Sequence, residues 1–261
     1  MLDNVRTFKY NKNMKHLILT GCSLAEQWKS IFDHEHYTDM LKNDYPHHPF
    51  KLQADRIVNY TMGGGGNAIA LHSLLNEFLL HSDDIKNMRI VCQLTGINRR
   101  SMVIKDDNQG QGVVVKNAIS DNLEKVITWG SHLDHLYGTE KILSRNISEK
   151  LQSEFDDSTI RDLTSVLCML GSLGAEVYVF RGWEGCMPLP MWERISQQLN
   201  SHNVITHKST YMDIAVSKSL KNPEYEWVDE FHPACFLAMH SVTYLLNEMV
   251  KEEKLKYVFE K

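Results

Sequence analysis

The sequence lacks the features of a secreted or membrane-embedded protein. Among its 261 residues are only five cysteines, an odd number with no C-x-x-C pair. This usage predicts free thiols in a reducing compartment, not a disulfide framework. No apolar run approaches the roughly 18 residues that cross a bilayer, so no membrane span is expected. Residues 1–13 are polar and contain no signal-peptide core, so we expect a cytoplasmic protein.

An excess of positive charge is also missing. Lys and Arg number 28 against 33 Asp and Glu, which gives a formal net charge of −5. A basic surface is the usual requirement for binding phosphates of a nucleic acid, so nucleic acid is not an expected partner. The length and the 43% hydrophobic content suit a single domain over residues 1–261. The sequence leaves the oligomeric state open.

Short apolar runs that alternate with helical patterns predict an α/β fold. Runs of this kind, buried on both faces, are typical of parallel strands covered by helices. We expect a three-layer α/β/α sandwich with a flavodoxin-like parallel sheet of about five strands, a short fifth element falling at 211–215. The other strands are predicted at 15–21, 56–60, 88–94 and 176–180, and helices at 23–31, 67–80, 191–199 and 234–251.

The middle of the chain departs from this alternation. Residues 101–112 are polar and predict a loop, and the pattern from 113 to 174 is mainly helical. Gly171 and Gly174 mark the expected end of the helical part. The sequence therefore predicts a mainly helical insertion around 101–172.

Residues with chemical potential follow successive predicted strands. Ser23, in G-C-S-L, follows the first strand and opens a helix, where a helix N-terminus favours a developing negative charge. Four glycines, 63–66, follow the second strand in N-Y-T-M-G-G-G-G-N, and Asn98 follows the third in G-I-N. Because the carboxyl ends of parallel strands share one edge, these residues are expected to lie near one another.

Each of these pieces also has an ordinary structural explanation. Ser23 suits a plain helix N-cap, the glycines a flexible turn, and Asn98 a turn position. The glycine run has neither the G-x-G-x-x-G register nor a following G-K-[ST]. A flavodoxin-like nucleotide or flavin binder is therefore an alternative without a phosphate-binding motif.

Asp229 and His232, in D-E-F-H, precede the last predicted helix. A serine hydroxyl needs a base to remove its proton, and imidazole supplies one at neutral pH. A carboxylate three residues earlier can orient that imidazole and stabilise its charged form. Taken alone, the same residues also fit an acidic loop with a helix-capping histidine.

The order and placement of the four blocks resemble the SGNH hydrolase family, also called GDSL-like lipases and esterases, over about residues 15–250. The resemblance implies that Ser23 is the nucleophile, His232 the general base and Asp229 the residue that orients it. It implies a serine ester hydrolase that needs no cofactor and no metal. The expected substrate is a small-molecule or carbohydrate ester.

The resemblance also implies an oxyanion hole. Its donors would be the backbone N–H of Ser23, the backbone N–H of Gly64 and the side-chain amide of Asn98. Gly65 is the alternative to Gly64 and an expected substrate contact. Trp183, in the loop after the fourth strand, would border the site and stack on a sugar, and packing of an aromatic residue is the other interpretation.

Two positions depart from the family pattern. Cys22 stands where the first block has Asp, and Arg99 stands where the third block has Asp. Those aspartates brace the site, so their loss favours, as an alternative, a weak or inactive protein that binds a carbohydrate or another partner on the same fold. The spelling of the glycine block is similar to that of phage-carried SGNH proteins, which adds virion association as a location. Histidines near the site, including His47 and His48, are interpreted as surface-loop residues.

Overall fold

The computed structural model describes residues 15–29, 31, 41, 43–48, 50, 54–61, 66–97, 100–105, 113–116, 123–129, 149–229 and 232–259. The strands within them are β1 (His16–Gly21), β2 (Arg56–Thr61), β3 (Met88–Leu94), β4 (Arg100–Lys105), β5 (Val113–Lys116), β6 (Leu123–Trp129), β7 (Glu176–Arg181) and β8 (Val204–Thr206). The α-helices are α1 (Asn67–Leu80), α2 (Glu149–Ser172), α3 (Leu189–Asn200), α4 (Tyr211–Lys221) and α5 (Cys235–Phe259). Shorter 3-10 helices cover Ser23–Lys29, Ser82–Asn87 and Glu184–Cys186.

Five strands form a parallel sheet in the order β2-β1-β3-β7-β8. Numbered along the chain, this is the 2-1-3-4-5 order of flavodoxin-like doubly wound sheets. The chain changes its direction of travel across the sheet between β1 and β3, and such a switch point opens a crevice at the carboxyl ends of the strands. The predicted three-layer fold with a parallel sheet of about five strands is confirmed.

Helices cover both faces of this sheet. Side chains of successive strand residues point to opposite faces, so each inner strand contributes to two hydrophobic cores. Ile90 and Cys92 of β3 pack toward α1, α2 and α3, whereas Val91 packs toward the Ser23–Lys29 helix, α4 and α5. The second core contains Trp28, whose ring lies 5.7 Å from that of Phe180 and 5.9 Å from that of Tyr211. This aromatic contact fixes the helix that begins at Ser23.

The described residues between 101 and 129 differ from their prediction. Strands β4, β5 and β6 form an antiparallel sheet in the order β4-β6-β5, and α2 covers Glu149–Ser172. The expected polar loop is therefore wrong over β4, and the expected helical pattern is wrong over β5 and β6. Val126, Ile127 and Thr128 are β-branched, and residues of this type favour strands.

The fifth strand of the parallel sheet also lies away from its expected position. It is β8, only three residues long, and the residues near 211–215 belong to the helix α4. The Thr210 side chain accepts a hydrogen bond from the backbone of Asp213, whose carboxylate accepts one from the backbone of Thr210. This capping box, T-x-x-D, is visible in the sequence and indicates a helix start.

The cysteines are unpaired, as the sequence predicts. All five cysteines are free, and four of them are buried. In the described part of the chain, none of the helices combines the length and the apolar character that a membrane crossing requires.

Candidate active site

Ser23 lies at the carboxyl end of β1, where the chain turns into the 3-10 helix. The turn is closed by a hydrogen bond of 2.9 Å from the backbone N–H of Ala25 to the carbonyl of Cys22. The buried side chains of Ala25 and Trp28 hold the helix against the sheet. Ser23 is half-buried. Because it follows β1, it lies at the carboxyl edge of the sheet, where the switch point forms a crevice.

The side chains of Ser23, His232 and Asp229 form one hydrogen-bonded chain. The distance from Ser23 Oγ to His232 Nε2 is 2.8 Å. On the other side of the ring, His232 Nδ1 lies 2.9 Å from Asp229 Oδ1 and 2.8 Å from Asp229 Oδ2. A carboxylate only accepts, so Nδ1 donates to it, which leaves Nε2 to accept the proton of the serine hydroxyl. The three residues that the sequence singled out are thus neighbours in space.

The loop before α5 is shaped by short-range hydrogen bonds. The backbone N–H of His232 donates to Asp229 Oδ1 at 2.9 Å, so one carboxylate holds both the backbone and the ring of the histidine. The N–H of Val228 donates to the carbonyl of His232 at 2.7 Å, and Trp227 forms a backbone bridge with Pro233. Since α5 packs against the Ser23–Lys29 helix, this loop is brought beside Ser23.

The cluster is open to solvent on one side. The His232 side chain is 39% exposed and that of Asp229 is 52% exposed. A ligand can therefore approach the Ser23 hydroxyl and the imidazole without displacing core residues. The arrangement has the parts needed for proton transfer from a hydroxyl to a histidine that a carboxylate orients.

The other predicted oxyanion residues, Gly64 and Asn98, lie outside the described residues, as do Gly65 and Arg99. The backbone N–H of Ser23 is the one predicted donor whose position is described. The geometry of the oxyanion hole therefore stays a prediction.

Cys22 is a core residue and not a surface thiol. It is fully buried, and its backbone N–H donates to Gln93 Oε1 at 3.3 Å. Its Sγ lies 3.6 Å from the same oxygen. Sequence reasoning missed Gln93, which is buried near the end of β3.

Trp183 follows β7 at the same edge of the sheet. It is half-buried and packs against both hydrophobic cores, as expected of a structural aromatic residue. The loop that it begins borders a cavity of about 650 Å³, whose lining includes Ile97, Arg181 and Asp213. A contact between Trp183 and a substrate stays a prediction.

A second group of polar side chains lies at the opposite edge of the sheet. His16, Glu77 and His81 bring potential metal-ligating atoms within 4.8 Å of one another, all in buried side chains. Arg56, however, bonds both oxygens of Glu77, with Nη1 at 2.5 Å and Nη2 at 3.0 Å. Burial acts to raise the pKa of Glu77, but hydrogen bonds from Arg56 and Tyr60 outweigh it and lower the pKa. The guanidinium already supplies the cation, so we interpret this group as a structural ion pair.

The interpretation of His47 and His48 as surface residues is wrong in part. His48 is fully buried, and its ring lies 6.1 Å from that of Phe50. His47 is half-buried, and its backbone N–H donates to Asn247 Oδ1 at 2.9 Å. These contacts dock the segment on α5, and they give the two histidines a packing role.

Comparison with solved structures finds distant likenesses. TesA is 14% identical, with 91% of this chain and 97% of TesA covered and a TM-score of 0.38. The psychrotrophic esterase EstA from Pseudoalteromonas sp., inhibited by monoethylphosphonate, is 12% identical, with coverages of 94% and 98% and a TM-score of 0.34. CEX, a two-domain esterase active on acetylated mannans, is 12% identical over 92% of this chain and 50% of its own, with a TM-score of 0.39.

No protein-family model and no curated protein matches the sequence. At TM-scores this low, the structural likenesses carry no weight of their own. The fold class follows from the strand order of this chain, and the candidate site follows from the distances between Ser23, His232 and Asp229.

Proposed function

We propose that this protein is a serine ester hydrolase of the SGNH type. The observation that carries the proposal is the hydrogen-bonded chain from Ser23 Oγ through the His232 ring to the Asp229 carboxylate, with distances of 2.8 Å at each step. Its position at the carboxyl edge of a doubly wound sheet is where such folds place their chemistry. Its exposure leaves room for a substrate.

In the proposed reaction, Ser23 Oγ attacks the carbonyl carbon of an ester while His232 Nε2 takes the hydroxyl proton. The carbonyl electron pair moves to oxygen, where the backbone N–H of Ser23 stabilises the charge together with the predicted donors Gly64 and Asn98. The intermediate collapses, the alkoxide leaves, and His232 returns the proton to it. Water then repeats the sequence on the acyl-serine and releases the acid. Asp229 keeps the imidazole oriented and stabilises its charged form.

The substrate class follows less directly. A small-molecule or carbohydrate ester fits a site that is open to solvent, as the exposure of His232 and Asp229 shows. Trp183 and Gly65 are the proposed substrate contacts. Among these, Trp183 would offer an aromatic face to a sugar ring.

Labelling with a fluorophosphonate probe, together with hydrolysis of p-nitrophenyl acetate, tests the proposal. We expect the wild type to be labelled at Ser23, and Ser23→Ala and His232→Ala to lose on the order of 10³-fold or more in kcat.

A matched control is available in the chain itself. Ser172 Oγ lies 3.0 Å from His202 Nδ1, but among the described residues no carboxylate bonds to the His202 ring. Ser172→Ala should therefore leave labelling and hydrolysis unchanged. A folded wild type that is neither labelled nor active on an acyl-ester panel would contradict the proposal and favour a binding role on the same fold.

A further inference from the structure

A glutamine side chain occupies the space beneath the Ser23 turn. Gln93 is 1% exposed and extends from β3, the strand next to β1. Its Oε1 accepts the backbone N–H of Cys22 at 3.3 Å, immediately before Ser23. The Cys22 thiol lies 3.6 Å from the same oxygen. The turn that carries the serine is therefore linked to β3 by a buried side chain.

Two glycines make room for this amide. A Cβ atom at Gly21 would lie 2.7 Å from Gln93 Oε1, and a Cβ atom at Gly182 would lie 2.9 Å from Gln93 Nε2. At distances this short, a Cβ atom at either position would force the Gln93 amide to move. The absence of side chains at Gly21 and Gly182, next to the ends of β1 and β7, thus leaves the space that the Gln93 amide occupies.

We propose that Gln93 is a positioning residue that holds the Ser23 hydroxyl in line with His232. The proposal rests on the proposed function, since it concerns how the nucleophile is held. The Gln93 side chain would support the turn at which Cys22 stands in place of the Asp of the SGNH pattern. Without this acceptor, the buried N–H of Cys22 would lose its hydrogen bond to β3, and the turn would no longer be held to that strand.

A shift of this turn should lower kcat more than it changes KM. Misplacement of a reacting group by about 1 Å costs on the order of 10²-fold in rate. Gln93→Leu has a similar size and no acceptor, so we expect kcat to fall by about tenfold or more with KM nearly unchanged. Gln93→Glu keeps an acceptor oxygen at the same reach and should retain more activity than Gln93→Leu.

A control variant separates positioning from loss of stability. Ile90→Ala removes a buried side chain from the same strand, on the face away from Ser23. At matched fractions of folded protein, Ile90→Ala should keep the wild-type rate of fluorophosphonate labelling, and Gln93→Leu should lose it. Equal losses in the two variants would overturn the proposal.

Coupling to Gly182 gives a second test. Gly182→Ala should lower kcat in the wild type because its Cβ displaces the amide. It should have a smaller effect in Gln93→Ala, where of these close contacts only that to the Leu94 carbonyl, at 3.2 Å, remains. Additive effects of the two changes would contradict the proposal.

Amide hydrogen exchange at Cys22 provides a readout that does not need an active enzyme. Exchange should speed up in Gln93→Leu and not in Ile90→Ala, whereas unchanged exchange would overturn the proposed brace. A wild type that is not labelled at all would instead reject the proposed function, so the two failures are distinguishable.

Discussion

Asn67 and Thr95 are joined by two hydrogen bonds between a side-chain amide and a backbone. Asn67 Nδ2 donates to the carbonyl of Thr95 at 3.0 Å, and the N–H of Thr95 donates to Asn67 Oδ1 at 2.9 Å. Both residues are buried. Asn67 begins α1 directly after the glycine run, and Thr95 lies three residues before Asn98. The pair therefore joins the start of α1 to the end of β3, which flank the two segments that contain the predicted oxyanion donors.

Replacement of this asparagine should reduce both stability and activity. Asn67→Leu leaves a buried donor and a buried acceptor of Thr95 unpaired, at about 1–3 kcal/mol for each group. We expect the free energy of unfolding to fall by about 3 kcal/mol and kcat on p-nitrophenyl acetate to fall as well. Asn200→Ala, which removes an exposed bond to Thr206, is the control and should change stability by about 0.5 kcal/mol or less. Unchanged urea denaturation of Asn67→Leu would contradict the prediction.

Neutralising Asp229 tests the orientation of the imidazole. In Asp229→Asn the amide no longer enforces Nδ1 as the donor, so Nε2 is no longer reserved for the serine proton. We expect kcat to fall on the order of 10³-fold with a small change in KM. Steady-state hydrolysis of p-nitrophenyl acetate measures this, and Asp162→Asn, an exposed change on α2, should be neutral. An Asp229→Asn enzyme with full kcat would show that Asp229 has no part in the reaction.

The buried imidazole of His240 should make the protein sensitive to acid. Burial, and to a lesser extent the nearby charge of Lys218, lower its pKa to about 4 from 6.5, although Asp44 acts in the opposite direction. Its Nδ1 lies 3.0 Å from the hydroxyl of Tyr45. The unfolded chain binds the proton more readily than the folded one, so the stabilisation is complete above pH 6.5 and declines as the pH falls toward 4.

For this single group the loss between pH 7 and pH 5 amounts to about 2 kcal/mol. In His240→Leu the decrease in unfolding free energy over that range should be smaller by this amount. Guanidinium denaturation at both pH values measures it. An unchanged slope in His240→Leu would refute the assignment.

Two Arg–Glu pairs offer a comparison of buried and exposed ion pairs. Glu77, paired with Arg56, has a side chain that is 1% exposed, whereas Glu176, paired with Arg89, is 41% exposed. Glu77→Gln should cost about 3 kcal/mol because it leaves charge unpaired in a buried network. Glu176→Gln should cost about 1 kcal/mol or less because solvent screens the pair. Equal losses in chemical denaturation would contradict this assignment.

The Glu77 pair also has a defined pH dependence. Its pKa is held below the ordinary 4.5, so the stabilisation is present above that value and is lost as the pH falls through the lower folded value. Glu77→Gln should therefore remove part of the acid-induced loss below pH 4.5, as unfolding midpoints in a pH series would show. An acid dependence identical to that of the wild type would contradict this.

Elements with a strong local signal were predicted closely. The bounds of α1 and β3 agree with the sequence, because a continuous apolar stripe or run ends in each case at polar residues. The strand β8 was missed because three residues are too few to show a period. The β4–β6 sheet was missed because antiparallel pairing joins segments that are distant in sequence, and a local pattern does not report it.

In the candidate site too, some features could be predicted from local sequence and others depend on contacts between distant residues. Ser23, Asp229 and His232 stand next to predicted element ends, so their proximity could be inferred from topology. The role of Gln93 depends on tertiary neighbours, and the absence of side chains at Gly21 and Gly182 has meaning only once the strands are aligned. The oxyanion donors, the phage-type resemblance and the cytoplasmic or virion location stay predictions.

The distance along the chain between the two ends of the Ser23–His232 hydrogen bond has a consequence for biosynthesis. The two residues are 209 positions apart, and α5, which seats the histidine loop, follows that loop. All strands of the parallel sheet are therefore synthesised before His232, and at that stage Ser23 has no histidine beside it. If the proposed chemistry is right, hydrolytic competence arises late and all at once, when α5 has left the exit tunnel and docked, so a prematurely terminated product would be catalytically silent.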